Sequence, residues 1–167
     1  MSDRATPTQP IRPALGPTVV LDTNVVLDWL VFDDPLGCRI GEQITSGRLR
    51  WIGTATMRDE LGCVLRYPAI EARWSRHLSY DEVLARHDRH VCTVEPADLA
   101  KATEAPATVR MRCRDPDDQP FIDLALQYNA QLISRDLAVL KLARRALTQG
   151  AEILTPQQWL QQSQPQA

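Results

Sequence analysis

The chain has 167 residues, a length that suits one domain and leaves little room for two. At 44% hydrophobic and 24% charged it has an ordinary globular composition, and 19 Lys and Arg against 21 Asp and Glu leave a formal charge of −2, which excludes a global positive field for coating nucleic acid. No apolar run approaches the roughly 20 residues needed to cross a bilayer, and no hydrophobic signal core stands at the start, so neither membrane insertion nor secretion by that route is expected.

Residues 1–17 hold Pro7, Pro10, Pro13 and Pro17 among Ser, Thr and Gln. Such a composition buries too little apolar surface to offset the entropy of ordering, so a flexible tail is expected there. Val19-Val20-Leu21 is a β-branched apolar run suited to a strand covered on both faces, and Val25, Leu27, Trp29 and Leu30 predict a helix after it. Trp51–Thr54 reads as a second strand, followed by a helix over 56–66. The charged stretch 69–90 predicts two helices, and Val91–Val94 a third strand. A helix over 120–129 leads to the strand Gln131–Ser134. A basic helix over 137–147, the strand Glu152–Leu154 and a last helix opening at Pro156 follow, before a Gln-rich tail at 161–167. Strands alternating with helices predict βαβ units, hence an α/β fold with a central, mostly parallel sheet between helical layers, formed by one domain over 18–160.

Cys38, Cys63, Cys92 and Cys113 are widely spaced with no Cys-x-x-Cys pair, which fits a reducing, cytoplasmic setting. Three of them lie beside apolar neighbours and read as buried thiols. His87 and His90 with Cys92 could recruit zinc, but a helix end with two surface histidines is the simpler reading.

In an open parallel sheet, chemistry sits beyond the carboxyl ends of the strands. Asp22 closes the first strand, and Asp136 follows the strand ending at Ser134; each could equally be a helix N-cap. Projected at 100° per residue, Met57, Leu61, Val64 and Leu65 form the core face of their helix. Glu60 borders that face with no cation beside it, while Asp59 points outward. On the helix after 120, Phe121, Ile122 and Ala125 share a face with Asp118, whereas Asp123 and Gln127 point to the polar side. Asp115-Pro116-Asp117-Asp118 carries more carboxylate than capping requires, and like charges this close repel unless a cation intervenes. Asp22, Glu60, Asp118 and Asp136 come from four segments and could all project to one end of the sheet. Carboxylates without His or Cys suit Mg²⁺ or Mn²⁺, which can support phosphodiester hydrolysis. Thr23, Asn24 and Ser134 are polar neighbours able to orient these acids.

Asp22-Thr23-Asn24 after an apolar strand, Arg58-Asp59-Glu60-Leu61 on a helix, Asp115-Pro116-Asp117-Asp118 before Ala125, and Ser134-Arg135-Asp136-Leu137 together resemble the PIN-domain family. The likeness is to bacterial toxin-like members with an Asp-Pro-Asp-Asp motif, and covers about 18–160. It implies a three-layer α/β/α sandwich and metal-dependent cleavage of RNA, usually single-stranded. It assigns metal-binding, catalytic roles to Asp22, Glu60, Asp118 and Asp136, with Asp117 as a supporting contributor. It also implies a cognate antitoxin if the chain is a toxin, and suggests a homodimer. Ser134 stands where the family commonly has Thr, which keeps the hydroxyl. Arg135 replaces a frequent Gly, and Asp28 is an extra acid in the first helix.

An acidic site needs basic residues nearby to hold a polyanion. Arg110, Arg112 and Arg114 alternate before Asp115 and, if extended, project to one side; Arg135 adjoins the fourth acid. Seventeen of the 19 basic residues are Arg, which suits bidentate phosphate contacts. Tyr67, Trp74 and Tyr80 could stack bases, but read more simply as helix anchors. The leading expectation is an Mg²⁺- or Mn²⁺-dependent endoribonuclease. A phosphohydrolase using an aspartyl nucleophile fits less well, because no second Asp stands two residues after Asp22 as proton donor. The remaining alternative is a non-catalytic PIN-like module that binds RNA or protein.

Overall fold

The fold is that of a computed structural model, which describes residues 16–74, 78–95 and 111–163. Five strands form one sheet: β1 (Thr18–Leu21), β2 (Arg50–Gly53), β3 (Cys92–Thr93), β4 (Gln131–Ile133) and β5 (Glu152–Leu154). Their spatial order is β3-β2-β1-β4-β5, and every neighbouring pair is parallel.

Along β1 successive side chains are buried on alternate faces of the sheet. Val19 and Leu21 face one layer, with Trp51, Ile133 and Leu154 from the neighbouring strands. Val20 faces the other, with Ile52, Leu132 and Ile153. Both faces are covered, which explains the continuous apolar run in the sequence. The first layer contains α1 (Thr23–Leu30), α2 (Pro35–Thr45), α5 (Tyr80–His90) and α9 (Pro156–Ser163), through Leu27, Ile40, Val83 and Trp159. The second contains α6 (Gln119–Gln127) and α8 (Ala143–Thr148), through Phe121, Ile122 and Ala146. Helix α3 (Ala55–Val64) reaches both, with Leu61 in one cluster and Met57 in the other. The short helices α4 (Pro68–Glu71) and α7 (Leu137–Leu140) complete the described elements. The fold is the expected α/β sandwich.

Several elements differ from expectation. Helix α2 was not foreseen, although Asp34 caps it through the Leu36 and Gly37 amides and Pro35 opens it. Gly37 and Gly41 masked the signal by weakening helix propensity. They are there for close approach: a Cβ on Gly41 would lie 2.1 Å from the Trp29 ring. The single helix expected over 137–147 is two, because the Leu142 amide bonds Val139 O three residues back and breaks the four-residue ladder. At the C-terminus α9 continues to Ser163. The Pro-rich residues 1–15 and the last four residues, 164–167, lie outside the described residues.

None of the four cysteines is buried: Cys63 and Cys92 are exposed, and Cys38 and Cys113 are half-buried. His87, expected at the surface, is instead buried edge-on against Trp51, with ring centroids 4.9 Å apart. Its Nδ1 donates to Asp88 Oδ1 at 3.0 Å, and Asp88 also receives Arg58 at 2.6 and 2.8 Å. That partnership satisfies the ring and removes the reason to seek zinc there.

Candidate metal centre

The chain leaves β1 toward β2 and β3 on one side of the sheet, then returns to β4 and β5 on the other. This reversal opens a crevice beyond the ends of β1 and β4, where open α/β sheets place their sites. Asp22 follows β1 and is the N-cap of α1, accepting from the Asn24 amide at 3.4 Å. Ser134 follows β4, is fully buried, and donates its hydroxyl to Asp22 Oδ2 at 2.5 Å. The same hydroxyl oxygen accepts from the Asp136 amide at 2.9 Å. Asp136 in turn caps α7, its Oδ1 accepting from Ala138 N at 2.6 Å and Val139 N at 3.3 Å. The capping reading and the acidic-cluster reading of Asp22 and Asp136 therefore hold together.

Glu60 comes in from α3, where Thr23 Oγ1 donates to its Oε1 at 3.2 Å. Asp59 is exposed, as the helical projection requires. Asp118 stands at the N-cap position of α6 without capping it. Among the described residues its side chain accepts from the Cys113 thiol alone, at 4.0 Å. Asp115 Oδ1 accepts from the Asp117 amide at 3.0 Å, which shapes the turn that delivers Asp118.

The electrostatics bind these residues into one site. Burial, with Asp22, Asp136, Asp115 and Glu60 all pushing in the same direction, raises the Asp118 carboxyl to about 7. Burial also raises Asp22, partly offset by the Ser134 hydroxyl, and Asp136 adds to the rise. Glu60 is raised by burial, against the Thr23 hydrogen bond, with further upward pressure from Asp22, Asp117 and Asp115. Carboxylates from four segments thus sense one another at one end of the sheet.

This all-oxygen donor set fits a hard divalent cation, whose charge would relieve their repulsion. Yet among the described residues no three Asp, Glu, His or Cys side chains stand closely enough together to hold a metal ion as they are placed. Three of the four acids are each engaged by a partner of their own: Asp22 by Ser134, Asp136 by the α7 amides and Glu60 by Thr23. The acids are assembled into one electrostatic site, but not into a ready-made ligand cage.

The family model for the PIN domain matches residues 18–138, well over half of the chain. The chain belongs to the PIN-domain family. Among solved structures it is similar to VapBC2 from Rickettsia felis bound to a DNA fragment from their promoter, with TM-score 0.54, 10% identity, and 83% of this chain and 98% of that chain covered. It is also similar to PAE2754 from Pyrobaculum aerophilum, with TM-score 0.49, 14% identity, and coverage of 89% and 96%. At 10% identity the first likeness concerns the fold alone. No curated protein matches the sequence. PIN domains are generally nucleases that use divalent metal ions, which agrees with the acidic crevice.

Before Asp115, Met111 is buried and Cys113 half-buried, while Arg112 and Arg114 are exposed. Arg110 lies outside the described residues. Arg135 is not an unengaged cation: its Nε donates to Asp28 Oδ2 at 2.6 Å and its Nη2 to Asp34 Oδ1 at 3.1 Å. The two departures noted in the sequence, Asp28 and Arg135, are therefore partners. Trp74 and Tyr80 pack against the core, and Tyr67 is exposed.

Gln119 was overlooked in the sequence. Its Nε2 donates to Met111 O and Asp123 Oδ1, both at 2.8 Å, and its Oε1 accepts from the Cys113 amide at 2.7 Å. One side chain thus pins the backbone on either side of Arg112 to the start of α6. It also turns Asp123 from the solvated role expected of it into a half-buried partner. A glutamine in the first turn after an acidic motif was the available signal. No helix among the described residues is long and apolar enough to cross a membrane.

Proposed function

We propose that this PIN domain is an Mg²⁺- or Mn²⁺-dependent endoribonuclease acting on single-stranded RNA. The observation that carries the reading is the placing of acids from four segments at one end of the sheet, Asp22 held by Ser134, Glu60 by Thr23 and Asp136 by the α7 amides, with Asp118 raised to about 7 by burial and by its carboxylate neighbours. Such an unrelieved concentration of negative charge is costly unless a cation belongs with it.

Asp22, Asp118 and Asp136 would hold the ion, directly or through water. Bound there, the ion would supply charge stabilisation on the phosphate oxygens and favour ionisation of water. Asp118 has the most carboxylate oxygen to give, since it spends none on capping α6. Ser134 and Thr23 orient Asp22 and Glu60 through their hydroxyls, and Asn24 fixes Asp22 from the backbone. Glu60, raised by burial, completes the set or takes a proton from the attacking water. Asp117 adds to the field on Glu60 without occupying the crevice itself. Exposed Arg112 and Arg114 lead the RNA phosphates toward Asp118, together with Arg110.

The toxin reading draws on the likeness to VapBC2; it would bring an antitoxin as partner, and the family resemblance would add a homodimer as the assembly. The test is cleavage of a fluorescent single-stranded RNA with Mn²⁺, comparing the wild type with Asp22→Asn. The expected result is cleavage that requires the metal and is lost in the variant. Equal activity in the variant, once contaminating nuclease is excluded, would remove the proposal and leave a binding module.

A further inference from the structure

The geometry points to Arg135 as a positioning residue that fixes the turn carrying Ser134 and Asp136, rather than as a contact for RNA. The inference rests on the metal-dependent nuclease reading, which gives those two residues their importance.

Arg135 lies between the residue that holds Asp22 and the residue proposed as a ligand. Its guanidinium bridges two acids at 2.6 and 3.1 Å, and both acceptors are themselves held. Asp28 belongs to α1, six residues beyond Asp22. Asp34 caps α2 through the Leu36 and Gly37 amides, both at 3.0 Å, and its own amide donates to Asp28 O at 2.9 Å. Consecutive residues of the β4–α7 turn therefore fasten to opposite ends of one helix. Ser134 grips the N-cap of α1 and Arg135 grips its last turn. Asp136 follows at once and is locked onto the first amides of α7.

Partial burial makes this more than a surface ion pair. The Asp28 side chain is only 17% exposed and that of Arg135 35%. Removing the guanidinium would leave the partly desolvated Asp28 carboxylate without its donor and Asp34 without its second one, which costs more than losing a solvated pair. For the same reason an RNA phosphate would have to displace Asp28 and Asp34 together to capture Arg135. Arg112 and Arg114, exposed and without an ion pair among the described residues, meet no such competition.

A double-mutant cycle of Arg135→Gln and Asp28→Asn tests the inference with two readouts. The first is hydrogen exchange at the Ala138 and Val139 amides in metal-free protein. The second is kcat and KM on single-stranded RNA with Mn²⁺ across a salt series. Arg135→Gln is expected to lower amide protection at least about tenfold and kcat about 10- to 100-fold, with KM and its salt dependence unchanged. Asp28→Asn should reproduce both losses, and the double variant should add little to either single change. Unchanged amide protection would overturn the inference. So would a raised KM with kcat intact and a salt slope smaller by about 0.7, the signature of one lost single-strand phosphate contact. If the wild type cleaves no RNA, the nuclease reading falls, and amide protection alone decides whether Arg135 positions the turn.

Discussion

The Ser134 hydroxyl meets Asp22 Oδ2 at 2.5 Å, joining residues 112 positions apart at the ends of the two central strands. Both residues are buried, so this bond is made where water cannot substitute for it. Ser134→Ala should destabilise the fold by about 1–3 kcal/mol, the usual cost of leaving a buried polar group without a partner. Ser134→Thr keeps the hydroxyl and should retain RNA cleavage. Urea unfolding and an RNA cleavage assay on the two variants check this, with Ala less stable than Thr as the expected order.

Asp118 predicts a gain of stability from loss of a proposed ligand. Its folded carboxyl stands at about 7, against 3.8 for an ordinary aspartate. A raised folded value means that stability is fully present below pH 3.8 and declines as pH rises through 7. Asp118→Asn removes that loss. In EDTA the variant should exceed the wild type by about 1 kcal/mol at neutral pH, a figure reduced because solvent screens a half-exposed group. The two should converge near the pH of an ordinary carboxyl. Thermal unfolding over that range measures the difference, and added Mn²⁺ should raise the Tm of the wild type more than that of the variant.

His87 acts in the opposite window. Burial lowers its pKa below 6.5, against the pull of Asp88. The neutral ring donates from Nδ1 to the Asp88 carboxylate, which Arg58 holds ionised. Its contribution is fully present above pH 6.5 and is lost as pH falls toward the lowered value. His87→Phe keeps an aromatic against Trp51 and should flatten the stability profile below pH 6.5. Denaturant midpoints at several pH values read this directly.

The exposed arginines predict a different kind of defect. Arg112→Ala and Arg114→Ala should each raise KM for RNA and reduce the salt slope by about 0.7, with kcat largely kept. Gln119→Leu should produce a mixed effect, because its side chain holds Met111 and Cys113 on either side of Arg112. Binding isotherms at several salt concentrations separate these outcomes.

The strands were legible because both faces of the sheet are covered, which writes Val19-Val20-Leu21 and Gln131–Ile133 as apolar runs. Three of the acids, Asp22, Asp118 and Asp136, were legible because they stand where helices begin, and helical projection set Glu60 apart from Asp59. What could not be read depended on contacts between distant segments. Arg135 looked like a phosphate ligand because its two acids lie 107 and 101 positions away. Helix α2 was hidden by glycines that matter only once Trp29 is beside them. The burial of His87 required Trp51 and Asp88 together. Nor could helical projection reveal that three of the acids would each turn toward a partner of their own.

The most direct measurement is a crystal structure of the wild type soaked in Mn²⁺, with the ion located by its anomalous scattering. It should show an ion ligated by carboxylate oxygens of Asp22, Asp118 and Asp136 at about 2.0–2.3 Å, with Glu60 at its edge. Saturating Mn²⁺ with no ion in the crevice, and Asp22, Glu60 and Asp136 still held by their present partners, would contradict the metal-dependent nuclease.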